Sequence, residues 1–165
     1  MKRVFVIRHG KSSWENPAWK DLERPLRKKG KKRTERIAKF LKVNGFRPDI
    51  IITSPAKRAK MTAKIIREIW NNEIPVVEEK LIYHGDENDL EHILYGLDNG
   101  IETVYIVGHN PDLTDWVNRY KNPPIWNLPT SGVFGVTFHT RKWEDLPLAG
   151  FKEILYLEPK MLKKK

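Results

Sequence analysis

Residues Val4-Phe5-Val6-Ile7 form an unbroken apolar run of strand length, and Arg8-His9-Gly10 ends it without a transition. Consecutive β-branched and aromatic residues closed by glycine describe a strand buried on both faces, which belongs in a parallel sheet covered by helices. In open α/β sheets, ligands bind in the crevice beyond the carboxyl ends of the strands, so this run delivers a guanidinium and an imidazole to such a place. Arg8 offers a planar fork matched to phosphate. His9 offers a nucleophilic nitrogen with a pKa close to neutrality. A tripeptide does not define a site on its own, so its weight depends on what the other strand ends supply.

Two later strands end in a similar way. A helix from Leu26 to about Asn44-Gly45, with Ile37, Phe40 and Leu41 on one face, leads into the apolar run Ile50-Ile51-Ile52-Thr53. Ser54 reads as a helix cap and Pro55 as the first helical residue, with Ala59, Ala63, Ile66 and Trp70 as the buried stripe and Lys57 and Arg67 as exposed charges. Arg58 then falls in the opening turn, where free N–H groups and the helix dipole already favour an anion. Ile74 to Glu78 reads as a short strand and Leu81 to Asp86 as the turn after it. Leu90, Ile93, Leu94 and Leu97 mark a helix ended by Asn99-Gly100. Thr103 to Val107 is a third buried strand, closed by Gly108-His109-Asn110-Pro111, which repeats the cap-then-proline opening. Val133 to Phe138 and Phe151 to Leu157 read as antiparallel neighbours at one side of the sheet.

Strands alternating with amphipathic helices predict an α/β fold, a three-layer α/β/α sandwich around a mostly parallel central sheet, with strand 50–53 parallel to the first. A length of 165 residues without a linker or repeat suits a single domain over residues 1–165. Residues 11–25 have no sustained period and hold two prolines; Trp14 and Trp19 argue that this long connection is ordered. No apolar run reaches the length of a membrane span. Met1-Lys2-Arg3 leads straight into the first strand with no leader-like segment, so a cytoplasmic location is expected. There is no cysteine, which excludes disulfides, thiolate nucleophiles and cysteine-ligated metals.

The net charge of +10 comes largely from Lys28, Lys29, Lys31, Lys32, Arg33, Arg36, Lys39 and Lys42 on the first helix and from Lys160 and Lys163 to Lys165 at the end. Such runs are most often solvated faces or frayed ends, with attraction of anionic substrates or an acidic partner as the functional alternative. His84, His92 and His139 show no paired ligand spacing, and a cationic pocket repels a divalent ion, so neither a metal nor any other cofactor is expected.

The motifs Arg8-His9-Gly10, Ser54-Pro55-Ala56-Lys57-Arg58-Ala59 with Thr62-Ala63, and Gly108-His109-Asn110-Pro111 occur in this order over nearly the whole chain. Together they resemble the histidine phosphatase superfamily, also called phosphoglycerate-mutase-like. The short length, the segment Asp21-Leu22-Glu23-Arg24-Pro25-Leu26 leading to Gly30, and the compact Tyr83 to Leu94 region look most like its small phosphohistidine phosphatase branch, the SixA-like proteins. The resemblance implies that His9 is a nucleophile that becomes transiently phosphorylated while Arg8, Arg58 and His109 hold the non-bridging oxygens. Positioned cations and a covalent intermediate are also what phosphoryl transfer needs physically.

Many superfamily members carry a glutamate general acid after the third strand, where this chain has Tyr83. His84, Asp86 or Glu87 could substitute, with Asp86 the best placed, although turn and capping roles suit all three equally. Ser12 and Arg24 are further candidates for substrate contact; Asp21 and Glu23 are too, but mutual surface pairing is the ordinary fate of these charges. A P–N bond whose leaving nitrogen is already protonated needs less help than an alkyl phosphate. The expected activity is thus a metal-independent phosphatase acting on protein phosphohistidine, with a small-molecule phosphomonoesterase as the enzymatic alternative. The non-enzymatic alternative is a basic module for nucleic acid or an acidic protein. A phosphorylated protein or small phosphorylated substrate is the expected partner, in preference to nucleic acid or a membrane.

Overall fold

The computed structural model describes residues 1–162, so the lysines at 163–165 lie outside the described residues. Six strands form one sheet: β1 (Lys2–Arg8), β2 (Ile50–Thr53), β3 (Val76–Glu78), β4 (Thr103–Gly108), β5 (Val133–Phe138) and β6 (Phe151–Leu157), in the order β3-β2-β4-β1-β5-β6. β1, β2, β3 and β4 are mutually parallel, and β5 runs antiparallel to both of its neighbours. The sheet is therefore mostly parallel, as expected. β2 is parallel to β1, but β4 lies between them, because long-range pairing decides strand order while local periodicity reports only strand existence.

Alternation along β1 assigns its side chains to two cores. Phe5 and Ile7 face α1 (Lys28–Val43) and α2 (Lys57–Ile69), meeting Ile37, Leu41, Ala63 and Ile66. Val4 and Val6 face the other way, toward α4 (Glu87–Tyr95) and α5 (Asp112–Val117), meeting Leu90, Leu94, Leu113 and Trp116. Helices on both faces of one sheet make the three layers. No helix among the described residues is long and apolar enough to cross a membrane. On α1, Lys28, Lys29, Lys31, Lys32, Lys39 and Lys42 are exposed, so most of the basic run is a solvated face.

Several element boundaries differ from the sequence expectations. α2 begins at Lys57 rather than at Pro55: Ser54 Oγ accepts from the Ala56 N–H at 3.2 Å, so the hydroxyl closes a turn before the helix instead of capping it. Leu81–His84 forms one turn of helix, α3, where a plain turn was expected. α4 stops at Tyr95, with Gly96 as its cap, short of Asn99-Gly100. Asn110 caps α5 from one residue further out than expected, its Oδ1 accepting from the Thr114 N–H at 3.2 Å.

Glycine matters where α1 meets the segment that follows His9. A Cβ on Gly30 would sit 2.4 Å from the Lys11 carbonyl oxygen and 2.7 Å from its nitrogen, and one on Gly10 would sit 2.9 Å from Thr34 Oγ1. The helix can approach this closely only because both positions lack a side chain. Gly30→Ala is expected to destabilise the fold by about 2 kcal/mol, since the obstructing atoms are backbone. Gly96→Ala, whose Cβ meets nothing nearer than 3.7 Å, should stay within about 0.5 kcal/mol. Urea denaturation of the two variants checks this contrast.

Candidate active site

Three strand exits converge. Arg8 lies opposite Gly108 in the β1–β4 register, so His9 and His109 leave the sheet side by side, with ring centroids 5.1 Å apart. β2 pairs with the other edge of β4, and the turn after Thr53 leads into α2, whose second residue is Arg58. The backbone at the nucleophile candidate is held from several directions. The His9 N–H donates to the Gly108 carbonyl at 3.0 Å, its carbonyl accepts from the Ser131 N–H at 3.1 Å, and the Gly10 N–H donates to Thr62 Oγ1 at 3.0 Å.

His9 is buried, 6% exposed, with Nδ1 2.7 Å from the Gly10 carbonyl oxygen. A carbonyl only accepts, so Nδ1 carries the proton and Nε2 of the neutral ring keeps its lone pair. Burial is the largest influence against the charged form. The Gly10 bond pulls the other way, while His109, Arg58 and Arg8 repel a second cation, and the pKa falls to about 3. His109 falls to about 4, through burial first and Arg58 next, against an opposing pull from Asp21.

His109 Nε2 lies 2.7 Å from Ser54 Oγ, and its Nδ1 lies 3.4 Å from Arg58 Nη2. If the Ser54 hydroxyl donates, the ring proton sits on Nδ1, beside the guanidinium; if Nε2 donates instead, Nδ1 accepts from Arg58. An anionic oxygen placed between these groups selects the first tautomer, because it needs donors on both sides.

Asp21 ties the cations together. Its Oδ2 accepts from Arg58 Nη2 at 2.9 Å and from the Tyr83 hydroxyl at 2.6 Å, Oδ1 accepts from Arg24 Nη2 at 3.1 Å, and its backbone carbonyl accepts from Arg58 Nη1 at 2.7 Å. Burial raises this carboxyl, but the donors outweigh it, Tyr83 first and Arg58 second, and hold it at about 2. It is ionised at neutral pH. Arg24 also donates to Ser12 Oγ at 2.7 Å and lies 3.5 Å over the Trp14 ring. Arg8 Nη1 donates to the Leu128 carbonyl at 3.1 Å, while Nε of both Arg8 and Arg58 is buried without a hydrogen-bond partner among the described residues.

These groups surround a cavity of about 360 Å³ lined by Arg8, His9, Ser12, Arg24, Arg58 and His109, together with Lys11, Trp14, Arg27, Asn110 and Thr130. No carboxylate is among the described residues that line it. Such walls suit a phosphate-sized anion beside an unprotonated imidazole. Among the described residues no group of three or more His, Asp and Glu is placed to hold a metal ion.

Of the candidates read from the sequence, Arg8, His9, Arg58, His109, Ser12 and Arg24 are brought together. Asp86 and His84 are not among the lining residues. The Asp86 carboxylate is occupied as the cap of α4, accepting from the Asn88 and Asp89 N–H groups at 2.9 and 3.2 Å. His84 is exposed and packs edge-on against the Tyr83 ring, at 4.8 Å. Asp21, read as an ordinary surface pair, does pair with Arg24 but is also bonded to Arg58, and Ser54, read as a cap, meets His109. Neither the Arg58 nor the His109 partnership is local in sequence.

The two depressed imidazole pKa values bear on stability. Unfolded, both rings titrate near the ordinary 6.5; folded, they resist protonation down to about 3 and 4. The unfolded state therefore binds more protons below that ordinary value. Stability is unaffected by these groups above it and is lost as pH falls through the window. Urea midpoints measured from pH 7 to pH 4 should drop more steeply for the wild type than for His9→Gln/His109→Gln. Equal slopes would show that the rings are not held neutral.

The family model described as "Histidine phosphatase superfamily (branch 1)" matches residues 4–124. A protein of Picosynechococcus sp. is 28% identical over 137 residues, which is 81% of this chain and 83% of that protein. The uncharacterized phosphatase PhoE of Bacillus subtilis is 34% identical over 93 residues, 55% of this chain, and the match spans only 46% of PhoE. Among solved structures, the protein histidine phosphatase SixA complexed with tungstate superposes with a TM-score of 0.79 at 25% identity, covering 98% of this chain and 99% of that one. The matched region runs from Val4 within β1 and includes Arg8, His9, Arg58 and His109, and by that match the chain belongs to the histidine phosphatase superfamily.

Proposed function

We propose that this chain is a phosphatase that passes the phosphoryl group of its substrate first to His9 and then to water, and that the group it removes is carried on a histidine of another protein. The observation that carries the reading is the state of His9: buried, neutral, with Nδ1 committed to Gly10 and Nε2 free beside a wall of guanidinium groups.

In the first step the Nε2 lone pair forms a bond to phosphorus while the bond to the leaving atom breaks, its electron pair departing with that atom. Arg8, Arg58 and His109 hold the three equatorial oxygens, and Arg24 adds positive charge to the same wall. In the second step water attacks phosphorus, its proton passes to solvent, and the N–P electron pair returns to His9 Nε2 as inorganic phosphate leaves. Cations that disfavour a protonated imidazole also favour the phosphoryl dianion. One set of charges thus keeps the nucleophile active and binds its target.

The proton donors support this substrate class. Tyr83 stands where the resemblance expects a glutamate, and its hydroxyl is donated to Asp21, which raises its pKa. Asp21 itself is held at about 2 and has no proton to give near neutral pH. A leaving alkoxide needs such a proton, whereas an imidazole that arrives protonated does not. The solved relative named a protein histidine phosphatase supports the same class.

The test is steady-state turnover of a phosphohistidine peptide and of a sugar phosphate, with chelator present throughout. The wild type is expected to favour the peptide by at least about tenfold in kcat/KM, and His9→Ala to lose about 10³-fold or more on both while keeping its urea midpoint. A preference for the sugar phosphate would replace the proposed substrate with a small phosphomonoester. Retained turnover in His9→Ala would refute the nucleophile.

A further inference from the structure

A second concavity, of about 490 Å³, lies between α2 and the connection that carries Asp21. One wall is Trp19, Leu22 and Glu23; the other is Pro55, Met61 and the lysines at 57, 60 and 64. Lys57 immediately precedes Arg58, and Leu22 immediately follows Asp21, so the groove is lined by the chain neighbours of both members of the active-site ion pair. Lys57, Lys60 and Lys64 are all exposed and share one side of α2 through their spacing of three and four residues. Lys60 pairs with Glu78 at 3.1 Å. Neither Lys57 nor Lys64 makes an ion pair among the described residues. Between them the floor is apolar, and Leu22 remains 40% exposed.

We propose that this groove receives an acidic segment of the phosphorylated protein substrate next to its phosphohistidine, with an apolar side chain set between Trp19, Leu22 and Met61. The proposal rests on the phosphoprotein reading above and adds the chemistry of the flanking sequence. Charge complementarity selects the occupant: three lysines against the single carboxylate of Glu23, with Lys57 and Lys64 unpaired among the described residues, rim an apolar floor, which suits carboxylates around an aliphatic residue. From Lys57 to Lys64 the helix rises about 10 Å, the reach of about three residues of extended peptide. Carboxylates about three residues apart on the flanking segment are therefore the ones that can meet both Lys57 and Lys64. A bare aryl phosphate reaches the catalytic cavity without touching this groove.

Two experiments test the groove. In the first, an unphosphorylated peptide with Asp and Glu around a Leu is titrated into isotopically labelled protein. Amide shifts are expected at Trp19, Leu22 and residues 57–64, weakening as salt rises, and affinity should be about fivefold lower in Lys57→Gln/Lys64→Gln. No shift in this region, an equal response to a Lys-flanked peptide, or a stronger response of the same residues to a single-stranded oligonucleotide would overturn the proposal.

In the second, kcat/KM is compared for phosphohistidine peptides with acidic or amide flanks and for p-nitrophenyl phosphate. The double variant should lose about fivefold on the acidic peptide alone; an equal loss on all three would overturn the groove. A wild type that binds the acidic peptide in the groove, turns over p-nitrophenyl phosphate and leaves phosphohistidine intact would instead refute the substrate reading. The two failures are thus distinguishable.

Discussion

The in-register parallel pairing of β1 with β4 is the constraint on which the rest of the site depends. It sets Arg8 against Gly108 and so delivers two imidazoles to the same edge of the sheet, 5.1 Å apart. β2, on the far side of β4, brings Arg58 to them through the first turn of α2. A shift of one residue in this register would carry His9 away from His109 and turn Phe5 and Ile7 out of the core they share with α1 and α2. The apolar packing that stabilises the sheet is therefore also what aligns the chemistry.

Electrostatics then decides what that chemistry can be. Desolvation is the largest influence on both imidazoles and acts with the neighbouring guanidinium groups, so neither ring adds charge to a wall that is already cationic. Asp21 moderates this wall without filling the cavity, holding Arg58 and Arg24 from outside. The same bonds order the long connection 11–25, which has no apolar period of its own. Its supports are the pairing of Ser12 with Leu26, Arg24 stacked on Trp14, and Asp21 bonded to Arg58 and Tyr83.

The convergence of Arg8, His9, Arg58 and His109 was legible in the sequence because Arg8, His9 and His109 sit where apolar runs stop and Arg58 sits in the helix turn that follows one, and these are local signals. The layers and the antiparallel β5–β6 pair were legible for the same reason. Asp21 was not. Its role comes from Arg58, 37 residues away, and from Tyr83, 62 residues away, and no periodicity reports such pairings. Ser54 was misread by sound local logic: a serine before proline is a good cap, but here the hydroxyl also reaches His109 across the sheet edge. Asp86 shows the converse, since local capping chemistry was enough to account for it. The insertion of β4 between β1 and β2 is likewise a matter of long-range pairing, which alternation of strand and helix leaves open.

The central claim is that Nε2 of His9, freed by the bond of Nδ1 to Gly10, receives the phosphoryl group. The most direct measurement is to quench the enzyme in base during turnover, where phosphohistidine survives, and to map the modified atom by mass spectrometry and phosphorus–nitrogen NMR. The account predicts a single phosphoryl group on Nε2 of His9. A group on Nδ1, a group on any other residue, or turnover with no phosphorylated enzyme would contradict it.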